Sequence, residues 1–300
     1  MKNKLKNKKS IIAVIILSVL LSASAGLNIY QYCTEEEPPL SWLQSKDFVE
    51  HTTLGILSDL KEFRDGEDIS FQYDFDNKEY PVLLEKYGLE ETAGDGSEFI
   101  RAKNLMHEYS GRIRHYGSDS VSDGNMNAEY LLSAYLDNKE KGTFCRAKAQ
   151  ILNEMCLSLG IYARKLWLMP LSAYDSECHV VNEVWDSQYG KWIMLDISND
   201  IYWVDENAAP LSVLEIRDKI INEEFCTPVL ADDDLKDLEK KRADSDYCYT
   251  YYVKNLAYLE YMDTYSVGEA QVCYLLPENY TAGEDMRLIS RESVEASPVR

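Results

Sequence analysis

Positive charge is scarce in this sequence. Lysine and arginine together number 31 against 52 aspartates and glutamates in 300 residues, a formal net charge of -21 at pH 7. A body this acidic repels phosphate backbones, so the composition argues against nucleic-acid binding. Part of the small positive complement also lies at the extreme N-terminus, where lysines occupy Lys2, Lys4, Lys6, Lys8 and Lys9.

Cysteine is too sparse for a disulfide-dense scaffold, and its spacing gives no metal site. The seven cysteines contain no Cys-x-x-Cys pair of the kind that binds zinc. His107 and His115 lie on one predicted helix without a carboxylate or cysteine partner, so we expect no metal and no cofactor. An exported chain could pair its cysteines as disulfides or bury them as small apolar residues. Because the total is odd, at least one is free, and Cys145 is the natural candidate.

The first 34 residues are predicted to be a targeting segment. Lysines are followed by IIAVIILSVLL, and no residue from Ser10 to Thr34 is charged. That stretch exceeds the roughly 20 residues that cross a bilayer, which favours an uncleaved signal anchor at the cell membrane with an extracellular body. The small residues Ala23 to Ala25 keep a cleaved signal peptide and a secreted protein open. Lipid attachment at Cys33 is disfavoured because the small residues it requires are missing.

We predict four parts of the chain. Residues 1–34 are the signal segment, 35–96 a linker and N-terminal extension, 97–204 the core, and 205–300 a helical C-terminal extension with a loose tail. The extension is dense in tyrosine, which we interpret as packing against the core in preference to a sugar-stacking platform. These tyrosines are Tyr247, Tyr249, Tyr251, Tyr252, Tyr258 and Tyr261.

The segment from Lys141 to Gly160 is predicted to form a helix with a cysteine in its first turn. Thr143 is the predicted N-cap, and apolar residues recur at helical spacing until Gly160. The positive end of the helix dipole and the free backbone N–H groups favour a thiolate at Cys145. The alternative is a buried structural cysteine, which is our interpretation of Cys156.

A β-hairpin is predicted downstream, with strands from His179 to Trp185 and from Lys191 to Asp196. If Trp185 pairs with Gly190, His179 lies directly opposite Asp196, with Cβ atoms about 4.5–5.5 Å apart. An imidazole and a carboxylate can hydrogen-bond over that distance. A shift of one residue would place them on opposite faces, so the register is a testable prediction.

Cys145, His179 and Asp196 have the chemistry of a nucleophile, its base and the group that orients the base. The Cys145 thiolate would attack an acyl carbon, His179 would accept and return a proton, and Asp196 would hold the imidazole in one tautomer. The backbone N–H of Cys145 is a candidate oxyanion donor because it begins a helix.

The sequence around these three residues resembles the core of the transglutaminase-like (papain-like cysteine) superfamily over Ser97 to Val204. The resemblance implies an α+β fold, in which the cysteine-bearing helix packs on an antiparallel β-sheet with helical N- and C-terminal extensions. It also implies Cys145, His179 and Asp196 as the catalytic residues. Val180-Val181 and Ile197 depart from the aromatic and the proline that the family often has there, a difference that concerns the substrate. The motifs are Gly142–Cys145, Leu159–Arg164, His179–Trp185 and Trp192–Asp196.

We therefore expect an exported, membrane-anchored cysteine hydrolase or acyltransferase that acts on amide bonds through a thioacyl intermediate. Its expected partners are a protein or cell-wall peptide substrate and, through the N-terminal segment, the membrane. The alternative is a non-catalytic extracellular binding module that retains the fold. The complete set of Cys, His and Asp favours the enzyme.

Overall fold

A computed structural model describes residues 46–116, 126–172, 175, 177–266, 270–281, 283 and 285–299. The predicted signal segment lies outside the described residues, and no helix within them is long and apolar enough to cross a membrane. The chain separates into two compact units, Met1–Thr52 and Thr53–Arg300. The sheets and the candidate site belong to the second unit.

The described chain combines helices with a largely antiparallel set of strands, which confirms the α+β class. The helices are α1 (Lys46–Asp59), α2 (Tyr80–Tyr87), α3 (Leu89–Ala93), α4 (Glu98–Ser110), α5 (Ala128–Tyr135), α6 (Cys145–Ser158), α7 (Val213–Ile221), α8 (Leu238–Asp244), α9 (Asp246–Lys254) and α10 (Arg291–Glu295). The strands are β1 (Gln72–Tyr73), β2 (Ala163–Met169), β3 (His179–Asp186), β4 (Lys191–Leu195), β5 (Ile201–Asp205), β6 (Cys226–Leu230), β7 (Tyr258–Met262), β8 (Thr264–Tyr265) and β9 (Val272–Leu275).

The main sheet has five strands in the order β4-β3-β2-β7-β9, and every neighbouring pair is antiparallel. Two small sheets, β1 with β8 and β5 with β6, complete the strand pairing of the described residues. The prediction that the segment after residue 205 is helical is wrong in part, because that segment also supplies β6 to β9. In β7, buried Leu259 and Tyr261 alternate with half-buried residues, which is the period of a strand.

Helix α6 is the central helix of the core. All of its residues from Ala147 to Leu157 are buried, although an amphipathic surface helix would expose one face. It packs on β3 and β2 and is flanked by α2, α4 and α5. The opposite face of the sheet carries a second apolar cluster, which includes Leu166 and Val181 and is closed by α7 and α9. Cys145 therefore begins a helix that is held on all sides.

A buried ion pair joins β2 to β3. Arg164 donates from Nε (2.9 Å) and Nη2 (2.6 Å) to Glu183 Oε2, and each residue is only 1% exposed. The other Glu183 oxygen accepts the backbone N–H of Val213 at 2.9 Å, at the start of α7. The guanidinium carbon lies 3.9 Å from the centre of the Trp192 ring. The ion pair therefore connects β2, β3 and the start of α7.

We predict that Glu183→Gln destabilises the fold by about 3–5 kcal/mol, because it leaves the Arg164 charge buried without a counter-charge. Urea denaturation followed by circular dichroism measures the change. The double variant Arg164→Met/Glu183→Leu should recover much of that loss, since it removes both charges. A loss below about 1 kcal/mol for Glu183→Gln, the value of an exposed pair, would contradict this interpretation.

Candidate active site

Cys145 is the first residue of α6, and Phe144 is the N-cap. The prediction of Thr143 as N-cap is wrong by one residue, because the Thr143 backbone is engaged elsewhere. Its N–H donates to Arg114 O (2.9 Å) and its carbonyl accepts the N–H of Tyr116 (2.8 Å). The thiol is half-buried, and its position at the N-terminus of a buried helix agrees with the sequence prediction.

Gly142 permits the close approach that places Cys145. A Cβ atom at this position would lie 2.8 Å from Arg114 O and 2.9 Å from Tyr116 Cβ. Any other residue would therefore push the segment before α6 away from the chain that follows α4. The Gly-Thr-Phe-Cys motif therefore has a packing role at Gly142 and ends in the candidate nucleophile, Cys145.

His179 and Asp196 are in contact, as predicted. His179 Nε2 lies 2.8 Å from Asp196 Oδ2, and both side chains are buried. His179 is the first residue of β3, and Asp196 follows the last residue of β4. The pair lies at the corner of the sheet where β4 ends, next to the N-terminus of α6.

The predicted hairpin register is wrong by two residues. Trp185 pairs with Trp192, and Asp186 pairs with Lys191, so His179 and Asp196 are diagonal neighbours. Gly190 has φ of 64° and belongs to the turn, not to the strand. The buried Asp186 side chain accepts the N–H groups of Gln188 and Tyr189 and fixes the strand end there. A register shift of two residues leaves each side chain on its predicted face of the sheet, so His179 and Asp196 are still in contact.

Asp196 is completely buried and accepts four hydrogen bonds. Besides His179, the donors are Tyr252 Oη (2.7 Å), Asn199 Nδ2 (2.6 Å) and the backbone N–H of Ser198 (2.8 Å). The sequence analysis missed Tyr252 and Asn199. Asn199 lies in the Ser-Asn-Asp turn after Asp196, which is a recognisable signal. Tyr252 is 56 residues away on α9. The only sequence feature that pointed to it was the tyrosine-rich segment, which was predicted to pack on the core.

The buried charges of the site stabilise each other. Burial by itself lowers the pKa of His179, but the Asp196 carboxylate and hydrogen bonds to Asp196 and Cys145 raise that pKa to about 10. Burial raises the pKa of Asp196, and the His179 charge together with the hydrogen bonds from His179, Tyr252 and Asn199 lowers it to about 2. The favoured state is an imidazolium beside a carboxylate, with the thiol of Cys145 in hydrogen-bonding range of the imidazolium.

Two tyrosines of α9 lie against the His179 ring. The ring centres of Tyr251 and Tyr252 are 5.4 and 5.6 Å from that of His179, both in edge-on geometry. Tyr251 is half-buried, and burial, followed by the charge of Cys145, raises the pKa of its hydroxyl. The ring of His179 is therefore held by a helix as well as by its hydrogen bonds.

Other ionisable residues of this region have structural contacts. Lys148, one turn after Cys145, is buried and donates to Ser110 O at 3.0 Å, which joins α6 to α4. His107 Nδ1 lies 2.8 Å from Asp200 Oδ2 at the surface. Within the described ranges there is no group of His, Cys, Asp and Glu that could hold a metal ion. All six described cysteines, which exclude Cys33, are free thiols.

Comparison with solved structures finds weak similarities. A "Putative Cysteine Protease" from Cytophaga hutchinsonii is 16% identical with a TM-score of 0.32, over 50% of this chain and 46% of its own. Rad4-Rad23 bound to a 6-4 photoproduct UV lesion is 14% identical with a TM-score of 0.21, over 70% of this chain and 50% of the other. The matches thus span half or less of these proteins, and similarities of this size do not identify an activity. No curated protein matches the sequence.

Comparison with family models is more informative. Residues 86–197 match the model described as the transglutaminase-like superfamily. The match contains the Cys145 helix and the hairpin with His179, and it ends one residue after Asp196. It supports, at the level of the family, a cysteine hydrolase or acyltransferase. Over residues 86–197 the chain is therefore similar to the transglutaminase-like superfamily.

Proposed function

We propose that the protein is a cysteine hydrolase or acyltransferase that acts on amide bonds, with Cys145, His179 and Asp196 as its catalytic residues. The observation that carries the proposal is the 2.8 Å contact between buried His179 and buried Asp196 beside a cysteine at the start of α6. Placement at the cell surface, on a protein or cell-wall peptide substrate, belongs to the same proposal and is supported by the apolar N-terminal sequence.

The first half of the reaction forms a thioacyl intermediate. The Cys145 thiolate attacks the amide carbon, and the developing oxyanion is stabilised by the backbone N–H at the start of α6. Because His179 Nε2 is engaged by Asp196, Nδ1 is the nitrogen available to Cys145 and the substrate. His179 gives its proton to the amide nitrogen, the C–N bond breaks, and the amine departs. Asp196 remains a carboxylate throughout.

The second half consumes the intermediate. Water or an amine attacks the thioacyl carbon while neutral His179 accepts its proton, and the C–S bond breaks. Cys145 returns to its thiolate and His179 to its imidazolium. Water gives hydrolysis, and an amine gives acyl transfer with the same residues in the same roles.

The charged pair sets the pH range of this chemistry. The folded pKa of His179, about 10, is above its ordinary 6.5, so its stabilising charge is complete below 6.5 and is lost as the pH rises through about 10. The folded pKa of Asp196, about 2, is below its ordinary 3.8, so its contribution is present above 3.8 and is lost as the pH falls through about 2. The pair is therefore intact across the neutral range.

We predict that Cys145 is alkylated by iodoacetamide at mildly acidic pH faster than an ordinary thiol, because its proton is held by His179. Mass spectrometry of the labelled peptides measures the rate at each cysteine. His179→Ala should slow the alkylation of Cys145 at mildly acidic pH. Equal rates at Cys145 and at a free thiol, unaffected by His179→Ala, would refute the proposed role.

Activity on peptide amides is the direct test of the function. Cys145→Ser and His179→Ala should each lower kcat by roughly 10³-fold or more, as in other nucleophile-base pairs. Cys178→Ser is the matched control, because Cys178 is also half-buried and directly precedes His179. Loss of activity in the control but not in Cys145→Ser would assign the nucleophile to Cys178. Binding of peptide amides without turnover would favour the non-catalytic module.

Tyr252→Phe tests whether α9 positions Asp196. Removing a buried hydrogen bond to a charged group should cost about 1.5–3 kcal/mol of stability, raise the pKa of Asp196 and so move the acidic limb of the kcat/KM profile to higher pH. Tyr80→Phe is the control, since its hydroxyl is buried without a hydrogen-bond partner. A lower stability with an unchanged pH profile would make Tyr252 merely structural.

A further inference from the structure

Part of the main sheet extends beyond α6 and remains open. On the sheet face where α6 packs on β2 and β3, the next strands present half-buried side chains in cross-strand rows. Trp167 is directly opposite Glu260, which is opposite Tyr274, and Met169 is opposite Tyr258. We call this set the open strip, and each of its members is partly exposed: Trp167, Met169, Tyr258, Glu260 and Tyr274.

The open strip begins at the candidate active site. Arg146, which follows Cys145, has its guanidinium carbon 6.0 Å from the centre of the Trp167 ring. Cys178, which precedes His179, lies near both Cys145 and Glu260: after burial, their charges raise the pKa of its thiol. Glu260 is two strands from β3, a lateral distance of about 10 Å. That distance is within reach of a side chain on a peptide held at Cys145.

The Glu260 carboxylate has no partner among the described residues. It is half-buried, yet it forms no hydrogen bond or ion pair there, whereas nearby Asp263 pairs with Arg287 at 3.2 Å. The cationic side chains on the same sheet face have other contacts, since Arg146 lies on Trp167 and Lys165 donates to Gln150. Burial raises the pKa of Glu260, which is the direction expected of a carboxylate without a compensating cation.

The aromatic neighbours complete a site for a cation. Tyr258 and Tyr274 lie close enough to Glu260 that, after burial, its charge is the next cause raising the pKa of each hydroxyl. Aromatic faces attract ammonium groups and pack on the methylene groups that carry them. A carboxylate flanked by two tyrosines therefore suits a long side chain that ends in a positive charge.

We propose that Glu260 and the open strip form a substrate subsite for a lysine-like, amine-bearing side chain close to the amide that Cys145 attacks. This inference rests on the proposed function, because it assigns the substrate of the same site. An anionic side chain would be repelled by Glu260, and a neutral one would leave the carboxylate partly desolvated and unpaired. The net charge of -21 also draws cationic substrates towards the protein.

The test compares peptide amides that differ only by lysine or norleucine at one position, scanned along both sides of the scissile bond. At one position the full-length protein should favour lysine by about tenfold in kcat/KM, the value of a charge-assisted contact. Glu260→Gln should bring the lysine-to-norleucine ratio close to one, and Glu260→Lys should bring it below one. Glu239→Gln, an equal charge change on an exposed residue of α8, should retain the original ratio.

A second measurement separates this inference from the proposed function. Calorimetric titration of the Cys145→Ala protein with the same peptides needs no turnover and should show the same lysine preference, abolished by Glu260→Gln. Cleavage without a lysine preference, or a preference that persists in Glu260→Gln, overturns the subsite but leaves the enzyme intact. No cleavage by the unmodified protein overturns the enzyme, and the titration alone then decides the subsite.

Discussion

Asp196 is a carboxylate without any exposed surface, and a buried charge of this kind is tolerated only where donors surround it. Its donors come from β3 through His179, from the turn after β4 through Ser198 and Asn199, and from α9 through Tyr252. Forming the carboxylate site therefore brings three separate parts of the chain to one corner of the sheet. The start of α6, with Cys145, lies at the same corner. The contacts that stabilise the buried Asp196 carboxylate are thus also the contacts that arrange the candidate active site.

Strand β3 is held at two points by charge. His179 at its start bonds to Asp196, and Glu183 further along bonds to Arg164 and to the first N–H of α7. The two residues lie on the same face of the strand. Movement of β3 would break both contacts together, so the imidazole is fixed by the strand as a whole and not only by its own hydrogen bond.

Features determined by neighbours in the sequence could be predicted, whereas those determined by distant residues could not. The helix that begins near Cys145, the hairpin, and the contact of His179 with Asp196 follow from local periodicity and turn residues. The register was missed because the Asp186 side chain accepts hydrogen bonds from the backbone of Gln188 and Tyr189. These bonds extend β3 to Asp186 and move the turn one residue further along the chain. The strand β7 and the role of Tyr252 were missed because a tyrosine-rich stretch does not reveal which tyrosines pack on the core and which approach a carboxylate.

The similarity to the superfamily ends at Ile197, but the hydrogen-bond network of the site continues to Tyr252. A domain boundary placed at the end of that similarity would cut through the immediate environment of Asp196. Chimeras that join this Cys145 helix and hairpin to the C-terminal segment of a relative should therefore be judged by one compatibility: whether the new segment brings a donor to the buried carboxylate. The segment beyond the superfamily match is then also a part that the site cannot exchange freely.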